Sequence, residues 1–62
     1  MRKSDFTKHL RKHGCQLKRE GAKHEIWENS ANGTWSSVPR HNELKKFLCI
    51  KICKDLGIVS QF

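Results

Sequence analysis

The chain has no long apolar run, and its longest, Phe47-Leu48-Cys49-Ile50, is only four residues. A membrane-spanning helix takes about 20 apolar residues and a secretory signal about 7–15, so neither is expected. Acidic residues are scarce: six Asp and Glu stand against thirteen Lys and Arg, a net charge of +7. An even set of cysteines is missing too. Three Cys speak against a secreted disulfide framework, and with no signal segment they imply a chain that stays in the cytosol. Repeats, linkers and low-complexity stretches are also absent, so residues 1–62 are expected to form a single domain. A chain of about 60 residues buries only ~60% of its unfolded surface, which makes the core thin.

What is present suits a folded domain, with 35% hydrophobic and 31% charged residues. The basic excess favours a polyanion partner, because each cation set against a phosphate releases a condensed counterion. An acidic protein or an acidic membrane surface would meet the same charge, although no long amphipathic helix supports the membrane. A basic surface kept for solubility is the plain alternative.

The periodicity predicts five elements. Ser4 can cap a first helix over Asp5 to His13, with Phe6 and Leu10 as its apolar stripe and Gly14 as its stop. Alternation then sets Cys15, Leu17 and Arg19 against Gln16, Lys18 and Glu20, a first strand. Gly21, Ala22 and Lys23 make a tight connection to a second strand, His24 to Asn29. The turn formers ending in Asn32-Gly33 signal a hairpin, and Thr34 to Val38 makes a third strand closed by Pro39. A second helix starting near Asn42 carries Leu48, Cys49, Ile52, Cys53 and Leu56 on one face and ends at Gly57. Leu44, Phe47 and Ile50 lie off that face, which fits either a later helix start or contacts for a protein partner. Short loops make the strands a meander, and both helix faces need cover. The expected fold is an α+β two-layer sandwich in α-β-β-β-α order, a three-stranded antiparallel sheet with both helices on one face. Double-stranded RNA-binding domains share this order.

His24 is the first candidate for chemistry. It follows a Gly-containing turn, opens a strand, and has Lys18, Arg19 and Lys23 close in sequence. Imidazole titrates near neutrality, so a neutral ring could take the proton of a ribose 2′-hydroxyl, whose oxygen then attacks the adjacent phosphorus. Neighbouring cations would stabilise charge on the phosphoryl oxygens. An exposed strand histidine with no task is the bland alternative. Arg40 and His41 follow Pro39 where a helix N-terminus is expected, a natural anion site, and His41 could protonate a leaving oxygen or simply touch phosphate. Trp27 and Trp35 fall on neighbouring strands, where they can pair across the sheet, pack in a core, or stack on bases. His9 with His13 and Cys49 with Cys53 have i,i+4 spacing that could chelate zinc, yet the cysteines share the apolar stripe and read equally as small hydrophobes. No metal and no cofactor is expected.

Three stretches in this order resemble the HicA family of toxin–antitoxin ribonucleases: Leu10 to Gly14 with Cys15, Arg19-Glu20-Gly21-Ala22-Lys23-His24, and Val38-Pro39-Arg40-His41. The segment Ile52-Cys53-Lys54-Asp55-Leu56-Gly57-Ile58 is similar to the family's closing helix. The resemblance implies a metal-independent mRNA interferase with a double-stranded-RNA-binding-like fold, a HicB-type antitoxin as partner, and His24 as the catalytic histidine. Lys18, Arg19, Lys23, Arg40 and His41 are the residues proposed to bind RNA, with single-stranded regions of mRNA as target. Two departures stand out. The turn has Ala22 where the family usually has a second Gly, and a requirement for positive φ there would strain it. Phe47 and Leu48 replace a Gly-Thr pair, which bears on where the second helix begins.

Overall fold

The computed structural model describes residues 1–60 and 62. The elements are α1 (Lys3–Lys12), β1 (Cys15–Glu20), β2 (His24–Asn29), β3 (Thr34–Pro39) and α2 (Lys46–Leu56). The strands form an antiparallel sheet in the order β1-β2-β3, with β2 central. α1 packs along β1 and α2 along β3, and both helices cover the same face. This is the α+β two-layer order expected from the periodicity.

One apolar cluster fills the space between the layers. Phe6 and Leu10 come from α1, Cys15, Trp27 and Val38 from the three strands, and Cys49, Ile52, Cys53 and Leu56 from α2. All three cysteines are reduced and buried in it. Burial pushes their thiols up, Cys53 to about 11 with Cys49 and Cys15 adding to the effect. They therefore act as small hydrophobes rather than thiolates.

Two helix starts differ from the spacing-based expectation, for one reason. α1 begins at Lys3 behind Arg2, with no side-chain cap from Ser4, and α2 begins at Lys46 rather than near Asn42. The first residues pair with residues 42–44 in a short β-bridge. Lys3 N donates to Asn42 O at 2.9 Å, Leu44 N donates to Met1 O at 2.7 Å, and the Met1 ammonium donates to Leu44 O at 2.9 Å. These bonds satisfy the opening of α1 and hold residues 42–44 extended. Leu44 is consequently buried in the core and gives no contact to a partner, whereas Phe47 and Ile50 remain exposed. At the other end of α2, Gly57 takes a left-handed conformation with φ 68°. The Asn29 and Asn32 side-chain amides both donate to Leu56 O, at 2.8 and 3.2 Å, tying the β2–β3 turn to the helix end.

Glu25 is buried among these apolar groups. Its carboxylate accepts from Lys3 Nζ at 2.6 Å and from Trp27 Nε1 at 3.0 Å, linking α1 to the central strand. Burial by itself raises the Glu25 pKa, but the bonds from Lys3 and Trp27 and the charges of Lys3 and Arg40 outweigh it. The carboxyl sits below its ordinary value of 4.5. A carboxyl depressed in the folded state stabilises the fold above its unfolded pKa, and that stability is lost as pH falls through the folded value. Glu25→Gln should therefore cost about 2 kcal/mol at pH 7, the worth of hydrogen bonds to a charged group. In urea titrations followed by circular dichroism, the gap from the parent should close as pH drops below 4.5. A gap of equal size in acid would show that the charge is irrelevant.

Candidate active site

Alternation along β2 decides what each face carries. Glu25, Trp27 and Asn29 are buried on the helix side, which turns His24, Ile26 and Glu28 to the helix-free side. His24 is exposed at the start of β2, opposite Pro39 on β3. On β3 the same phase buries Ser36 and Val38 and leaves Trp35 and Ser37 outside.

β1 breaks its own alternation. Leu17 pairs with Trp27, but the next paired residue is Arg19, opposite Ile26, so Lys18 is an extra residue at a bulge. The simple alternation expected from the sequence places Arg19 with Cys15 and Leu17, away from Lys18. The bulge instead brings Arg19 to the face of Ile26. Lys18 reaches that face as well, its Nζ lying 3.1 Å from the Glu28 carboxylate. Two consecutive cations thus share the side that carries His24.

Two depressions border this side, the second wrapping round the β3 edge onto α2. One, of about 390 Å³, is lined by Lys18, Arg19, Ile26 and Trp35. The other, of about 330 Å³, runs from His24 and Pro39 past Ser37 and Trp35 to Lys51 and Asp55 on α2. Trp35 lines both. Among the described residues, Glu25, Glu28, Glu43 and Asp55 already face an internal cation, leaving most of the basic groups without an acidic partner.

The turn before His24 is held by backbone contacts. Gly21 N donates to His24 O at 2.7 Å, Arg40 Nη1 donates to Gly21 O at 3.0 Å, and Arg40 N donates to Lys23 O at 3.3 Å. No residue other than Gly has a positive φ among the described residues, so Ala22 is unstrained. The glycine requirement lies one position earlier. A Cβ on Gly21 would come within 2.9 Å of the His24 carbonyl oxygen.

Of the residues singled out by sequence, Lys18, Arg19 and His24 come together on one face, and Lys23 is exposed in the adjoining turn. Arg40 and His41 are exposed but do not stand at a helix N-terminus, since α2 starts only at Lys46. Arg40 instead clamps the Gly21 turn. The two tryptophans do not pair: Trp27 is opposite Ser36 and buried, while Trp35 is opposite Glu28 on the other face. The zinc alternative finds no ligand set, as no three His, Cys, Asp or Glu side chains group suitably among the described residues. His9 Nε2 lies 2.8 Å from Val59 O, with its ring 4.4 Å from that of His13. Also among the described residues, no helix is long and apolar enough to cross a membrane.

A family model described as the HicA toxin of bacterial toxin-antitoxin systems matches residues 4–58. The chain belongs to the HicA toxin family. Membership carries a toxin role and pairing with an antitoxin. Comparisons with curated proteins and with solved structures each give no match. The matched span runs from the second residue of α1 through the residue after the α2 cap, and so takes in the whole sheet and all of α2.

The two small residues of the turn should respond unequally to exchange. Gly21→Ala forces the His24 carbonyl away and should lower both stability and any activity that depends on His24. Ala22→Gly keeps the geometry and should cost only about 0.4–1 kcal/mol, through a freer unfolded chain. Thermal melts with backbone NMR shifts of Lys23 to Glu25 distinguish them; equal shifts in both variants would contradict the steric account.

Proposed function

We propose that this HicA-family toxin is a metal-independent mRNA interferase in which His24 is the single catalytic histidine. The observation that carries the reading is that His24 is exposed on the sheet face that also carries Lys18 and Arg19, in a chain whose charge is +7. Neutral His24 takes the proton from a ribose 2′-hydroxyl. The 2′-oxygen forms a bond to phosphorus as the bond to the 5′-oxygen breaks, and that oxygen leaves with a proton from solvent. The products are a 2′,3′-cyclic phosphate and a 5′-hydroxyl end. Lys18, Arg19 and Lys23 stabilise charge on the phosphoryl oxygens, the task a metal ion performs in other nucleases.

Attack and departure must lie in line, which a regular A-form helix disfavours, so single-stranded regions of mRNA are the target. Substrate of that kind places the protein in the cytoplasm. Arg40 shapes the turn and, with His41, is an auxiliary phosphate contact. The antitoxin is of the HicB type, and an acidic surface would speed its capture of so basic a chain.

Purified protein should shorten single-stranded RNA in EDTA, leaving cyclic phosphate ends. His24→Ala should slow cleavage by at least about a hundredfold, while binding RNA in filter or anisotropy assays as before. Binding without shortening by the parent chain, or undiminished cleavage by His24→Ala, would reject the assignment.

A further inference from the structure

Trp35 is 61% exposed on the same face as His24. The core does not require it, since Trp27 fills the buried position on the central strand. Its surroundings are those of a ligand site rather than a random patch. Ile26 supplies an apolar floor, the indole a wall, and Lys18 and Arg19 a cationic rim, around a depression of about 390 Å³. Ligand pockets begin at roughly this size, about 300 Å³. Glu28 steadies Lys18 at 3.1 Å, while Arg19 has no ion pair among the described residues. An aromatic plane beside the unpaired Arg19 and the Glu28-bound Lys18 matches a nucleotide, whose base has a π-face and whose link to the next residue is an anion.

We infer that Trp35 is the stacking wall of a nucleobase subsite that holds an unpaired RNA base flanking the cleaved phosphate. The inference rests on the reading of RNA as ligand. Trp35 also lines the cleft that leads to His24, so one strand of RNA can occupy both. Trp35 stands four residue steps along β3 from Pro39, the residue opposite His24, a span of ~13 Å at strand rise. The stacked base is therefore a neighbour of the reacting nucleotide and not the reacting nucleotide itself. Stacking tolerates any base, so the subsite selects for unpaired RNA more than for sequence.

The test uses chains carrying His24→Ala, so that RNA stays intact, with Trp35 kept or changed to Ala or Phe. Anisotropy titrations compare a short oligouridylate with a ribose-phosphate oligomer of equal length that lacks bases, and thermal melts confirm folding. Trp35→Ala should weaken oligouridylate binding about tenfold, Trp35→Phe should keep most of it, and the baseless oligomer should bind all three chains alike. Equal oligouridylate affinity with and without Trp35, or an equal loss on both oligomers, overturns the subsite. Cleavage by the chain with His24 intact reads the proposed activity separately. Base-dependent binding without cleavage leaves the subsite standing and removes the catalysis, whereas cleavage without base dependence does the reverse.

Discussion

The buried Glu25 carboxylate is the contact on which the two faces of the molecule depend. A charge inside so thin a core would be costly alone, and removing one partner of such a pair leaves the other stranded. Here Lys3 and Trp27 saturate it, from α1 and from the same strand. Side chains on a strand alternate, so seating Glu25 against the helices fixes the phase of β2 and obliges His24 and Ile26 to face away. A one-residue slip would bury the histidine and expose the carboxylate. The position of the candidate catalytic group thus follows from electrostatics on the opposite face.

Arg40 joins the two faces. Its charge helps to hold the Glu25 pKa down, and its guanidinium donates to the Gly21 carbonyl in the turn that precedes His24. The Gly21 amide in turn donates to the His24 carbonyl. A charge interaction and two hydrogen bonds thus link the buried carboxylate through Arg40 to the turn and the first residue of β2. A residue that looks like a phosphate ligand from its charge and its neighbours also shapes the turn.

Much of this was legible in the residue pattern. Helical spacing at Phe6 and Leu10 and at Cys49, Ile52, Cys53 and Leu56 marked both helix faces, and the limits of β1 and β2 fell where Gly21 and the Asn-Gly turn placed them. The helix starts were not legible, because the bridge between residues 1–3 and 42–44 is a long-range backbone contact with no local signature. Nor was the grouping of Lys18 with Arg19. Strict alternation put Arg19 on the side of Cys15 and Leu17, an awkward place for a guanidinium, and that conflict was the available hint of a bulge. The Ala22 departure looked like strain only because the glycine requirement was assigned one residue late. For His24 the sequence supplied position and charged company; its exposure on a shared face came from the strand phase.

The exposed face runs against the needs of a domain this small. Burying apolar surface contributes about 25 cal/mol per Å², and a chain of this length has few large side chains to bury. Yet Trp35 and Phe47 remain largely outside while cysteines fill the core. A fold selected for stability alone would gain by exchanging these places. For Trp35 the exchange would need a one-residue slip of β3 against β2, because pairing with Glu28 sets the indole on the face of His24 and Ile26. Leaving an indole in water beside Arg19 and Lys18 is a stability cost, which a ligand or partner on that face would offset. The charge at its rim points to an anionic polymer with aromatic bases rather than to a second apolar surface.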